Sequence, residues 1–439
     1  MKIMRSRSQY VCQQCGYSQV GWAGKCPNCN AWASLVETVV SIAKEKKPTS
    51  PRLRGTRPVS LSSIPLEKTS RISTKISELD RVLGGGLVPG QVVLIAGEPG
   101  IGKSTILLQL ADKLGDMLYV SGEESTGQIK VRADRLGIKK SSISILESTD
   151  VDEIIETLST IDDRLLAVII DSIQTMTTDD LSGMAGSVGQ VRECASRLLR
   201  IAKEKNIPLF LVGHVTKEGT VAGPAVLAHI VDTILWFEGD KILTLRLLRA
   251  VKNRFGPTDE VGIFEMGDKG LAALSDPEKI FLAQGKRMVP GSCVTCLLEG
   301  TRPILAEIQS LIVPTKLAFP RRIVQGIDSR RVEMLLAVLI RRCGLPLYES
   351  DVFVNIAGGI KTQDPGVDLA VALSIASSYF DKPLAKKTVA VGEVGLLGEV
   401  RQVTSQDRRL KEARRLGFIQ TVSSKQIKYL QEGIKKLLR

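Results

Sequence analysis

The sequence predicts an α/β protein: a mostly parallel sheet covered by helices, preceded by a small cysteine module and followed by a second folded unit. Three observations carry that expectation. Between Ile72 and about Gly270, short apolar runs alternate with helical stretches, as in parallel strands joined by helical crossovers. Within that region Val92-Val93-Leu94-Ile95-Ala96 feeds into Gly97-Glu98-Pro99-Gly100-Ile101-Gly102-Lys103-Ser104-Thr105, and a helical pattern (Ile106, Leu107, Leu108, Leu110, Ala111) follows. Ahead of it stand two tight cysteine pairs, Cys12-x-x-Cys15 and Cys26-x-x-Cys29.

At 439 residues the chain exceeds one ordinary core, so two or three domains are expected. An apolar fraction of 43% and a charged fraction of 24% are those of a soluble globular protein. No apolar run reaches membrane-spanning length and residues 1–20 lack a secretory core, so a cytoplasmic location without membrane contact is expected. The net charge of +13 is uneven: residues 1–70 hold eleven Lys and Arg against Glu37, Glu45 and Glu67, a local excess of +8. That segment reads either as a polyanion contact or as a solvated Lys-rich linker.

Residues 10–33 form the cysteine module. Two Cys-x-x-Cys pairs ten residues apart, with Gly16, Gly21, Gly24 and Pro27 for turns, can close a tetrahedral ion with no open position. Zinc in a structural role is therefore expected on Cys12, Cys15, Cys26 and Cys29. Trp22 and Trp32 could stack on a base or pack the miniature core, and packing is the expectation. Residues 34–60, rich in Pro, Ser, Thr and Lys, read as a flexible basic linker.

Residues 61–270 form the third segment, with strands expected at 92–96, 117–121, 143–146, 166–171, 208–213, 231–237 and 242–249. Helices are expected near 104–114, 126–136, 151–160 and 188–204. The loop Gly97 to Thr105 presents backbone N–H groups and a helix N-terminus to an anion; Lys103 reaches the outer phosphates of ATP and Ser104 helps hold Mg²⁺. Asp171 ends an apolar strand beside that loop and can join Ser104 on the Mg²⁺. Glu123, at the tip of the strand 117–121, can orient a hydrolytic water, whereas Glu124 suits a helix N-terminus. His214, Thr216 and Lys217 follow the next strand as γ-phosphate sensors or as ordinary structural residues. The Gly-rich stretches 175–190 and 216–225 read as nucleic-acid contacts or as mobile lids. Lys252 and Arg254, two residues apart on an extended segment, point the same way and could reach a neighbouring subunit's phosphate as trans-acting cations; the alternative is a surface hairpin.

From about 271 to 439 a second folded unit is expected, with strands at 303–313, 351–357 and 388–394, helices at 329–342 and 366–379, and a basic helical tail. Cys293-x-x-Cys296 has no second pair nearby and reads as two buried strand cysteines, as do Cys194 and Cys343 as buried thiols.

These motifs converge on a family. The four-cysteine knuckle, Leu79-Asp80-Arg81-Val82-Leu83-Gly84-Gly85-Gly86-Leu87, the loop Gly97 to Thr105, and Lys252-Asn253-Arg254-Phe255-Gly256 together resemble the RadA (Sms) family of bacterial DNA-repair proteins across essentially the whole chain. The resemblance implies a RecA-like ATPase core that assembles as a homo-hexameric ring, binds single-stranded and branched DNA, and works with the RecA recombinase in branch migration. It makes Lys103, Glu123, Asp171, Lys252 and Arg254 the catalytic set. The C-terminal unit resembles the Lon peptidase domain, an α+β fold, but lacks its catalytic dyad: Gly366 stands near the nucleophile's position and Asp407 where the lysine would fall. A scaffold is implied, with Arg321-Arg322, Arg330-Arg331 and Arg408-Arg409 as candidate DNA contacts.

Overall fold

The computed structural model describes residues 6–12, 17–41, 71–138, 142–161, 165–214, 224–239, 244–274, 282, 288–317 and 319–438. Cα packing divides the chain into one unit over Met1–Ala273 and another over Leu274–Arg439.

At the N-terminus three antiparallel strands, β1 (Ser6–Cys12), β2 (Ser18–Gln19) and β3 (Leu35–Ser41), pair in the order β2-β1-β3. Register Cys12↔Leu35 brings the first cysteine against the small core of Cys12, Cys26 and Leu35. Cys15 and residues 42–60 lie outside the described residues; the start of the expected linker 34–60 is instead strand, because 35–41 pair with β1 as β3.

The following sheet is built from β4 (Val92–Gly97), β5 (Met117–Ser121), β6 (Ile143–Glu147), β7 (Ala167–Asp171), β8 (Leu209–His214), β9 (Thr233–Gly239), β10 (Leu245–Asn253), β11 (Val261–Gly267) and β12 (Gly270–Ala273). Their order is β12-β11-β10-β9-β4-β8-β7-β5-β6. From β9 to β6 every pairing is parallel, while β10, β11 and β12 continue antiparallel. The burial patterns explain the division. Every residue of β4, β5 and β7 is buried, as a strand covered on both faces requires. Along β10 from Leu245 to Ala250 half-buried and buried residues alternate, as when one face meets the core.

Helices α1 (Ser77–Leu83), α2 (Lys103–Leu114), α3 (Thr126–Arg135), α4 (Val151–Thr160), α5 (Val188–Lys205) and α6 (Pro224–Leu227) complete the unit. In α5 the buried Val191, Cys194, Ala195, Leu198, Ile201 and Ala202 recur at three- and four-residue spacing. Ser125 and Gln128 cap α3 reciprocally. Two separate apolar cores lie on the two faces of the sheet, one centred on α2 and one on α5.

The second unit holds a sheet of order β15-β16-β14-β13-β17-β20, made of β13 (Ser292–Glu299), β14 (Arg302–Pro314), β15 (Arg322–Gln325), β16 (Ser350–Ile356), β17 (Thr388–Ala390) and β20 (Gln420–Val422), with a small ladder of β18 (Glu393–Val394) and β19 (Val400–Arg401). Helices α7 (Ser329–Cys343), α8 (Asp368–Phe380), α9 (Gln406–Arg415) and α10 (Leu430–Leu438) accompany it. Cys293 and Cys296 are buried on β13, and Cys194 and Cys343 are buried as well. The expected strand 388–394 breaks in two, because Val391 bonds across to Val422 before the chain turns into β18. Among the described residues no helix is long and apolar enough to cross a membrane.

Candidate nucleotide site

The loop from Gly97 to Gly102 curls because Gly100 and Gly102 take φ of 79° and 116°, values that side-chain-bearing residues rarely adopt. Gly97 ends the fully buried β4, and α2 starts at Lys103, so the helix N-terminus and loop amides share one concavity. Lys103 is buried, and its Nζ donates to Gly97 O at 2.9 Å and Glu98 O at 3.0 Å. Burial pushes its ammonium down to about 8, against the opposing pull of Asp171 and Glu123. Glu98, Pro99 and Gly100 are exposed, while Ser104 and Thr105 are half-buried on the first turn of α2.

Strand β8 lies between β4 and β7, so Asp171 is one strand removed from the loop rather than beside it. Its carboxylate is buried and accepts from the Tyr119 hydroxyl. Glu123 Oε1 accepts from Ser172 Oγ at 2.5 Å and lies 3.5 Å from His214 Nε2. The imidazole and then Ser172 hold this carboxyl down to about 2, against burial. Gln174 Oε1 and His214 Nδ1 are buried without a hydrogen-bond partner among the described residues. An imidazole N–H at His214, paired in register with Gly97 beside the amide-lined concavity, can donate to a phosphate oxygen. Tyr119, Ser172 and Gln174 carry no sequence signal of their own; only the strand register brings them here.

The loop 175–190 is pinned, not lid-like. Gln190 Nε2 donates to Thr178 O at 3.1 Å and to Leu181 O, and its Oε1 accepts from Thr178 N at 2.9 Å. Arg197 adds bonds to Asp152 and Asp180. Thr216, Lys217 and most of 216–225 lie outside the described residues.

Lys252 and Arg254 are far from this concavity. Thr233 pairs with both Val93 and Asn253, whereas the loop begins at Gly97, which pairs with Phe237. Four residues of strand, about 13 Å, separate the two ends. The strand β10 runs to Asn253 with a bulge between Ala250 and Lys252, upstream of the step from Lys252 to Arg254. Lys252 turns inward, its Nζ donating to Ala228 O at 2.6 Å and Val231 O at 2.7 Å. Arg254 is exposed and reaches Asp232 Oδ1 at 3.2 Å. Asp232 is buried and also accepts from Val92 N and Lys203 Nζ, although no sequence motif marks it. The two glycine-bearing motifs meet here: a Cβ on Gly256 would lie 3.1 Å from Gly84 Cα and 2.9 Å from Asn253 Nδ2.

At the N-terminus the sulfurs of Cys12, Cys26 and Cys29 lie within 4.8 Å of one another, with Cys12 and Cys29 at 3.6 Å. Tetrahedral zinc with bonds near 2.3 Å sets sulfurs about 3.8 Å apart, so these thiols fit the ion. Trp22 and Trp32 do not pack a core: both are exposed.

In the C-terminal unit Asp364 and Arg409 form a buried pair, with Arg409 Nη1 also donating to Cys296 O at 3.0 Å. A Cβ on Gly366 would meet that guanidinium at 2.5 Å. Arg322 bonds the carbonyls of Leu347 and Ser350, and Arg331 holds Asp368 and Glu393. Of the three arginine pairs, Arg322, Arg331 and Arg409 are thus occupied inside the fold, and only Arg321, Arg330 and Arg408 are exposed.

A parallel sheet with the phosphate loop on one strand and an acidic strand tip beyond its neighbour defines a RecA-type P-loop ATPase. The family model for the KaiC ATPase matches residues 72–278, that of a rubredoxin metal-binding domain matches 10–37, and that of the ChlI subunit of Mg-chelatase matches 320–426. The DNA repair protein RadA of Bacillus subtilis (strain 168) is 48% identical over 427 residues, covering 95% of this chain and 92% of that protein. RadA of Streptococcus pyogenes serotype M1 is 47% identical over 428 residues (96% and 94%), and RadA of Listeria monocytogenes serovar 1/2a is 46% identical over 422 (95% and 92%). The chain belongs to the RadA family of DNA repair proteins, with a zinc-ribbon N-terminus, a RecA-type ATPase domain and a Lon-like C-terminal region.

Proposed function

We propose that this protein is a cytoplasmic, DNA-dependent ATPase motor that grips single-stranded and branched DNA within a homo-hexameric ring and drives branch migration alongside RecA. The observation that carries the reading is the placement of Lys252 and Arg254 at the opposite sheet end from their own phosphate loop. Cations so placed act on a neighbour's nucleotide or not at all, and a neighbour is what a ring provides.

Within one subunit Lys103 releases the carbonyls of Gly97 and Glu98 to meet the outer phosphates of ATP. Ser104 and Asp171 would hold Mg²⁺, which when bound would supply charge neutralisation on the phosphates, and Tyr119 fixes the Asp171 carboxylate. Glu123, ionised and aligned by Ser172 and His214, orients the attacking water. The ribbon cysteines hold a structural zinc. The C-terminal unit is a scaffold without peptidase activity: residue 366 offers no hydroxyl, Arg409 fills the adjoining space, and Asp407 pairs with Lys425.

Hydrolysis measured with and without single-stranded DNA, together with strand displacement on a forked substrate, tests the proposal. Stimulated turnover, movement of the strand and loss of both in Lys103→Ala are expected. Hydrolysis without any strand movement would leave a nucleotide-switched adaptor in DNA repair and remove the motor.

A further inference from the structure

The ribbon buries Cys12 and Cys26 and shows its tryptophans. Trp22 is 66% and Trp32 76% exposed, although a module with so few buried side chains has every use for apolar filling. The two indoles converge: a Cβ on Gly24 would lie 3.7 Å from Trp22 Cη2 and 3.8 Å from Trp32 Cζ3. Glycine at that position keeps the space between the ring edges clear. Lys25 pairs with Trp32 in an isolated antiparallel bridge and sets its Nζ 5.8 Å from the ring centroid.

Charge narrows the occupant. No Asp or Glu precedes Glu37, whereas Lys2, Arg5, Arg7 and Lys25 do. A filled four-thiolate zinc site carries a formal charge of about −2, which leaves residues 1–41, Glu37 included, at about +1, with Lys25 the single cation between the knuckles. A partner that offers flat apolar rings and a regular anionic backbone suits this surface; bases stack on aromatic faces while a nearby cation meets phosphate.

We propose that Trp22, Trp32 and Lys25 form a stacking site for unpaired bases of single-stranded DNA, separate from the ATPase unit's own strand contacts. This rests on the DNA-binding reading above and adds a named contact to it. The test uses the full chain in a Trp236→Phe background, so that only Trp22 and Trp32 report by fluorescence. A labelled oligothymidylate provides an independent anisotropy signal. Tryptophan emission should be quenched with the same midpoint as the anisotropy change. Trp22→Ala and Trp32→Ala should each weaken binding roughly tenfold, with zinc content and nucleotide affinity unchanged. Binding seen by anisotropy without quenching, or unaltered in the double variant, overturns the site and leaves the motor reading intact. Quenching by RecA with oligothymidylate silent assigns the surface to protein and equally overturns it. An oligonucleotide that does not bind the chain at all sinks the DNA reading and this inference together.

Discussion

Lys103 rests on the carbonyls of its own loop. Its identity and its role are written in the loop motif, but its resting partners are not: the ammonium folds onto Gly97 O and Glu98 O, and burial lowers it to about 8. Phosphate prefers the charged form, so nucleotide binding above that pH must take up a proton. Affinity for a non-hydrolysable ATP analogue should be level below pH 8 and weaken by up to tenfold per unit above it. A titration that stays level through pH 9 would show that this lysine is not charge-limited. Asp232 illustrates the opposite case. It looks like any loop carboxylate in the sequence, and only the fold reveals a buried acceptor holding Val92 N, Lys203 and Arg254.

Strands and helices were legible wherever periodicity had a single cause. The apolar runs that became β4, β5 and β7 are covered on both faces, and α5 repeats its buried residues every three or four positions. The hairpin of β11 and β12 was not anticipated, because its residues 261–273 mix glycines and charges and draw their order from pairing with β10. Lys252 and Arg254 both reach the segment before β9, at Val231 O and Asp232 Oδ1, as their two-residue spacing implies, but those resting partners carry no signal in the sequence. In the C-terminal unit the sequence shows Gly366 and Asp407 at the positions the resemblance assigns to a dyad, but not the ion pair beside Gly366. Asp364 accepts from Leu298 N at 3.0 Å, Gly366 N at 2.8 Å and Arg409, tying β13 to the start of α8 through α9. Arg409→Ala leaves that carboxylate buried without its cation and should destabilise the unit by about 3–5 kcal/mol. Thermal or denaturant unfolding of the full chain followed by peptide-resolved hydrogen exchange reads it; an unchanged profile across 290–370 would reduce the pair to decoration.

For the assembled molecule, the separation of phosphate loop and cation pair makes a specific demand. Lys103→Ala and Arg254→Ala proteins, each inactive alone, should recover turnover when mixed. Interfaces that join an intact loop from one variant to an intact arginine from the other arise in about a quarter of random pairings if the arginine acts in trans. Mixtures that remain silent while subunits demonstrably exchange would remove Arg254 from catalysis. The same separation also fixes a polarity. A contact that brings the end of β10 in one copy to the Gly97 end of β4 in the next uses two different patches, so copies can only queue head to tail. An open queue always leaves one loop without its visitor, at the leading copy, and one arginine idle at the trailing copy. Closing the queue on itself is the only arrangement in which every fuel chamber is attended.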